Sequence, residues 1–258
     1  MAHLPELRFG YAGSPSEVDT SNRAPLEKAL YDPSGYAPGV PCTAFRNFRI
    51  TPLTLQSNNV AALQTPAGAA SITLTAGTGV TSGPITVGGV TVTALDITGG
   101  VFSRSLRIVG QGGVTQRNYT ITGYDEYNQL TTCLIAGPNG AQTIETPKCW
   151  RYITAITVSG GTSAAISIGT GDTFGFPTAV FTFDQMVNLF WNGAGITSST
   201  GFTAADVTVP QTNATNHVRG TYTIQSNPSN GTRVLQAYIN MTTANSANMN
   251  TAYGLIPA

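Results

Sequence analysis

The stretch Ile85-Thr86-Val87-Gly88-Gly89-Val90-Thr91-Val92 constrains this chain more than any other. Two runs that alternate apolar and polar side chains flank a two-residue glycine turn. Alternation has the period of a strand, and Gly-Gly supplies the positive φ angles that a tight hairpin needs. The same grammar recurs along the chain. Strand-like runs occur at 45–50, 71–75, 106–109, 119–122, 129–135, 152–158, 165–168, 178–183, 187–191, 218–225 and 232–241. Turn signals separate them at Gly99-Gly100, Pro138-Asn139-Gly140, Ser159-Gly160-Gly161 and Asn227–Gly231. The glycine runs at Gly110–Gly113 and Gly169–Phe174 read as hairpin turns; neither has the order of a phosphate-binding loop. No strand alternates with a 10–15-residue helical pattern, which argues against a parallel α/β sheet. The pattern predicts an all-β fold, an antiparallel sandwich or jelly-roll-like body.

Composition points the same way. Charged residues make up 9% of the 258-residue chain, against roughly a quarter in an average soluble domain. Thr, Ser, Asn, Gly and Ala fill the gap, which suits strands and turns rather than exposed helices. The formal net charge is zero, and the densest basic clusters are pairs, Arg46 with Arg49 and Arg104 with Arg107. A nucleic-acid binder shows a basic excess or stripe, so no nucleic-acid partner is expected. The cations comprise ten Arg and only two Lys, Lys28 and Lys148. Arg is favoured at ordered protein contacts and Lys on free surface, so the skew points to a surface that faces other protein.

The chain divides into an extended N-terminal arm, residues 1–45, and a β body, residues 46–258, with a subdivision conceivable near Pro177, after which large apolar residues are denser. Ten of the 24 charged residues fall within 1–50, together with Pro5, Pro15, Pro25, Pro33 and Pro38. No hydrophobic periodicity runs through the arm, and one short helical turn is expected at Ala24–Leu30. Its aromatics Phe9, Tyr11, Tyr31 and Tyr36, with Arg46 and Arg49, are the expected assembly contacts. The start of the chain has neither a basic nor an apolar signal region, and no apolar run approaches the roughly 18 residues of a membrane span, so no membrane partner is expected.

Residues suited to chemistry are sparse. His3 and His217 are the only histidines, and a Ser-His-Asp or Cys-His arrangement would have to use His217. Cys42, Cys133 and Cys149 lack metal spacing; Cys133 and Cys149 pair only if their strands lie side by side, and otherwise all three are reduced thiols. Asp125-Glu126-Tyr127-Asn128 and Asp172 are oxygen-rich positions that suit a turn or a calcium ion. The remaining body acids, Asp96, Glu145, Asp184 and Asp206, are spread too thinly to name a glycosidase pair. Trp150 and Trp191 read as core or interface residues. We therefore assign no catalytic, cofactor or metal residues from the sequence, and expect no enzyme.

The segments Tyr119–Tyr127, Lys148–Ser159 and Ile166–Pro177, followed by His217-Val218-Arg219-Gly220-Thr221-Tyr222, resemble a strand pattern of tailed-bacteriophage virion proteins. That pattern runs from a TxxGxDxxG-like hairpin to a Lys-aromatic-x-x-Ile/Val-Thr strand and an Ile-Ser-Ile/Val-Gly-Thr edge. Asn128 stands where a Gly often sits. The resemblance implies a virion structural protein made in the host cytoplasm. It would be homo-oligomeric, as a trimer or otherwise, and would touch other virion proteins such as the major capsid protein. Head decoration (cement) is the first expectation. A tail, collar or fibre subunit that binds a receptor or glycan is the alternative, and a carbohydrate-active β enzyme the third.

Overall fold

The computed structural model describes residues 45–208 and 213–240. They form strands β1 (Phe45–Ile50), β2 (Ala61–Gln64), β3 (Ala70–Ser71), β4 (Thr81–Val87), β5 (Val90–Asp96), β6 (Ser103–Gly110), β7 (Asn118–Tyr124) and β8 (Leu130–Ala136). There follow β9 (Thr143–Glu145), β10 (Tyr152–Val158), β11 (Ile166–Gly175), β12 (Met186–Trp191), β13 (Ala194–Ile196), β14 (Phe202–Thr203), β15 (Thr221–Thr223) and β16 (Leu235–Asn240). A 3₁₀ turn covers Phe183–Gln185, and no helix among the described residues is long and apolar enough to cross a membrane. The fold is all-β, and every pairing is antiparallel. Phe9, Tyr11, Tyr31, Tyr36, the Ala24–Leu30 turn and Cys42 lie outside the described residues, as does the side chain of Arg46; Arg49 is exposed on β1.

The described residues form three sheets. Sheet I has the order β1-β16-β12-β13; sheet II runs β4-β5-β10-β7-β8 with β3 added to β10; sheet III runs β14-β15-β11-β6-β9 with β2 added to β11. The Gly-Gly hairpin forms as the sequence predicts: Val87 pairs with Val90 and Ile85 with Val92. Gly88 and Gly89 both have positive φ, 56° and 82°, the signature of a type I′ turn. Asn192-Gly193 makes the same turn, with φ of 50° and 81°, and joins β12 to β13.

Two apolar cores result. One holds Leu106, Ile108, Tyr119, Ile121, Trp150, Ile153, Ile156, Ile166 and Ile168, between sheets II and III. The other holds Phe102, Phe174, Phe176, Met186, Leu189, Trp191, Leu235, Ala237 and Ile239, between sheets I and III. β11 serves both, with Ile166 and Ile168 in the first and Phe174 in the second, and all ten of its residues are buried.

That strand corrects the reading of Gly169–Phe174 as a hairpin turn. The glycines lie inside β11 because other groups approach too closely for a side chain. A Cβ on Gly169 would collide with the Gln56 carbonyl oxygen, and one on Gly171 with Ser105 Oγ. Glycine in a strand interior marks such approaches as often as it marks a turn.

Three expected strands shrink for local reasons. The 178–183 run is irregular because Gln185 folds back, its Oε1 accepting from the N–H groups of Phe181 and Thr182. Within 218–225 only β15 forms, because the His217–Gly220 turn, with Gly220 at φ 79°, precedes it. Within 71–75 the Gln64 amide takes the place of a strand neighbour, accepting from Thr73 N and donating to Thr73 O, both at 3.0 Å.

Candidate functional site: buried ionic groups, an open cleft and a charge-poor face

β11 pairs with β6 on either side of a bulge between Thr170 and Phe174. A bulge frees backbone groups from the ladder, and charged side chains collect them. Glu145 Oε1 accepts from Asp172 N at 2.9 Å, Thr173 N at 2.8 Å and Ser105 Oγ at 2.5 Å. Arg104, 1% exposed, donates to Gly171 O at 2.5 Å and Leu53 O at 2.7 Å. Its Nη2 donates to Asp172 Oδ1 at 3.0 Å and Ser229 Oγ at 2.6 Å. Burial lowers the Arg104 pKa to about 10, against the opposing pull of Asp172, so the guanidinium stays charged at neutral pH. Asp172 is therefore one half of a buried ion pair.

Asp125 opens the turn between β7 and β8. Its Oδ1 accepts from Tyr127 N at 2.8 Å and Gln129 N at 2.9 Å, the geometry of an Asx-type turn. Asn128 takes the left-handed position, φ 60°. Asp125 Oδ2 accepts from Arg219 Nη2 at 2.7 Å. Glu126 Oε1 stands 3.1 Å from Arg219 Nε, but that N–H points at Phe176 O. One buried cation thus faces two carboxylates. Among the described residues no group of three or more His, Cys, Asp or Glu is placed to hold a metal ion.

Burial, reinforced by the neighbouring Asp125 and opposed by Arg219, raises Glu126 from an ordinary 4.5 to about 7. A carboxyl raised in the fold contributes stability that is whole below about 4.5 and lost as the pH rises through about 7. His217 has the opposite sign. Burial, then Arg219 and Lys148, hold it well below 6.5, so its contribution is present above about 6.5 and lost as the pH falls. Glu126→Gln is expected to remove the first slope and leave the second. Against the parent, the variant should gain on the order of 3 kcal/mol at pH 8 and less than about 1 kcal/mol at pH 4.5. Urea unfolding at the two pH values measures this; parallel pH profiles would show that Glu126 ionises freely in the fold.

His217 Nε2 lies 3.2 Å from Ser103 Oγ, a Ser–His contact that sequence reading did not foresee. It lacks the parts of a catalytic triad. His217 Nδ1 has no hydrogen-bond partner among the described residues, and His217 and Ser103 are 1% and 0% exposed. Cys133 and Cys149 are buried free thiols; desolvation raises Cys133 to about 11 and Cys149 well above its ordinary value. They form no disulfide. Trp150 and Trp191 are both core residues, 0% and 6% exposed.

Two surface features stand apart from these buried groups. The first is a cleft of about 580 Å³ between the β12–β13 hairpin and the Tyr222–Asn227 segment. Arg233 is the only charged residue that lines it among the described residues. The Arg233 guanidinium donates to Pro228 O, and no carboxylate among the described residues pairs with it.

The second is the outer face of sheet II. Its cross-strand rows are Ala136–Asn118, Leu134–Thr120–Thr157, Thr132–Thr122–Ala155 and Leu130–Tyr124–Tyr152. The last row continues across β10 to Asp96 on β5; the other three carry no charge, and Leu134 is 70% exposed. The face ends on β8, an edge strand whose sequence LTTCLIA holds neither a charge nor a proline. Lys148 Nζ and Trp150 Nε1 cap part of it, donating to Thr132 O and Thr131 O at 2.7 and 2.9 Å.

No protein-family model, curated protein or solved structure matches this chain.

Proposed function

We propose that the chain is a structural subunit of a bacteriophage virion, a head decoration protein held by contacts between copies and with shell proteins. The outer face of sheet II carries this reading. Soluble proteins blunt exposed sheet edges with charge, proline or bulges, and a contiguous uncharged patch that exposes large apolar side chains marks a protein contact. Here three uncharged rows run onto β8, an edge strand with no charge or proline of its own that Lys148 and Trp150 cap only in part, and Leu134 stands exposed on it. The Arg-over-Lys skew supports protein contact, and the strand pattern shared with tailed-phage virion proteins supports the particle.

A charge on that face is the test. Leu134→Glu in the full chain should leave circular dichroism and unfolding essentially unchanged, since the side chain is exposed. It should shift light-scattering mass at micromolar concentration from oligomer towards monomer, and lower incorporation into particles at least tenfold. A parent chain that is monomeric throughout and absent from purified particles would overturn the reading. Cryo-electron microscopy of the particle then separates positions. Density on the shell supports decoration, and density at the tail replaces it with a tail or fibre subunit.

A further inference from the structure

The cleft beside β13 is rich in hydrogen-bonding groups. Asn192, Thr197, Ser226 and Asn227 line it and are exposed. Among the described residues their side-chain amides and hydroxyls have no hydrogen-bond partner. The backbone holds both asparagines in place. Each sits at a left-handed turn position, φ 50° at Asn192 and 55° at Asn227. Asn192 N donates to Val234 O at 2.7 Å, and Asn227 O accepts from Trp191 Nε1 at 2.8 Å. Groups fixed in this way cost little further ordering when a ligand binds.

The chemistry of these groups selects the ligand. A volume of about 580 Å³ lies within the range of small-ligand sites. Trp191 and Tyr222 line the cleft but are 6% and 2% exposed, so they form its floor and offer no open ring face. An apolar ligand finds little there to cover. Amides and hydroxyls each donate and accept, and the hydroxyls of a saccharide ring do the same. Arg233 sets the sign of the charge. Its Nη1 donates to Pro228 O, which orients the guanidinium. Nε and Nη2 have no partner among the described residues, and that edge of the fork matches the two oxygens of a carboxylate. No acid among the described residues lines the cleft to compete for it.

We infer that this cleft binds a saccharide that carries a carboxylate, a uronic-acid or sialic-acid unit. Its hydroxyls meet Asn192, Ser226 and Asn227, and its carboxylate meets Arg233. A site for an acidic sugar goes beyond a role in assembly, and it stands whether or not the chain belongs to a virion.

The experiment is titration of the isotope-labelled full chain with sodium glucuronate, galacturonate and N-acetylneuraminate, read by nitrogen–proton NMR. The chain has two tryptophans, hence two indole N–H signals. Trp191 reports on the cleft floor through its bond to Asn227. Trp150 lies in the other core and is the internal control. At least one acid should shift the Trp191 signal saturably, in the low millimolar range or below, and leave Trp150 unmoved. Glucose and galactose, which lack the carboxylate, should bind at least tenfold more weakly. Arg233→Gln should weaken binding of the acid at least tenfold, with the Trp150 signal in place to show that the fold is kept. Asn192→Gly keeps the turn, as Gly88-Gly89 does elsewhere in this chain, and should weaken binding at least threefold. No shift with any of the three acids would overturn the proposal, as would an unchanged affinity in Arg233→Gln. An equal response to sodium acetate would also overturn it, since that marks a plain anion site with no place for the sugar ring. None of these outcomes bears on the oligomer that Leu134→Glu tests.

Discussion

Arg104→Met is expected to destabilise the fold by about 3–5 kcal/mol, the range for removing one partner from a buried ion pair. Methionine keeps much of the packing against Phe174, whose ring centre lies 5.5 Å from the guanidinium carbon. It keeps none of the hydrogen bonds. Asp172 would remain buried with only the Ser229 backbone N–H and hydroxyl as donors, and the carbonyls of Gly171 and Leu53 would lose their donor. The effect should be large because Arg104 ties three separate stretches, 53, 171–172 and 229, across the bulge in the strand that serves both cores. Urea unfolding measures the cost, with an expected fall in Tm of roughly 10 °C for a chain of this size. The double variant Arg104→Met with Asp172→Asn should be less unstable than the two single costs added, because it leaves no unpaired charge. A single-variant cost below about 1 kcal/mol would mean that water reaches Asp172 and replaces the guanidinium.

Trp150→Ala is expected to cost about 3–5 kcal/mol as well, by a different route. Trp150 heads the fully buried side chains by volume. Its backbone N–H and carbonyl exchange hydrogen bonds with Arg104 at 2.9 and 2.8 Å, and its ring N–H donates to Thr131 O on β8. One residue thus connects β6 of sheet III to the far edge of sheet II, and alanine leaves a cavity where the two meet. Trp150→Phe separates the two contributions. It keeps most of the ring volume and loses the ring hydrogen bond, for an expected cost of about 1–2 kcal/mol. Equal costs for Ala and Phe would show that the hydrogen bond, and not the filled volume, holds the sheets together.

Much of the fold is legible before any coordinates. Alternation locates β1, β7, β8, β10, β12 and the turn of the Gly-Gly hairpin to within a residue or two, because a half-buried strand must place apolar groups on every second position. Asn192-Gly193 is an equally readable hairpin signal. The Asp125 turn follows from Asx chemistry, which needs only neighbours in sequence. Only the start of β11 was legible, in the 165–168 run; its second half, Gly169–Gly175, was not. A strand buried on both faces loses its alternation, and its glycines answer to Gln56 and Ser105, more than 60 residues away in the chain. The ionic groups were hidden for the same reason. Nothing near Arg104 or Arg219 in sequence announces that each will be buried on an acid 68 or 94 residues distant.

The sequence by itself therefore determined what local chemistry can determine: strand or turn, the tight hairpins, an all-β class, and a chain poor in charge. Only the tertiary structure decided which glycines were turns and which were close approaches, and which acids were free and which were paired. It also decided which faces stayed uncovered. The physical reason is range. Backbone dihedrals and side-chain alternation are set by a residue and its neighbours, whereas burial, ion pairing and surface exposure are set by whichever distant strands the fold brings against them.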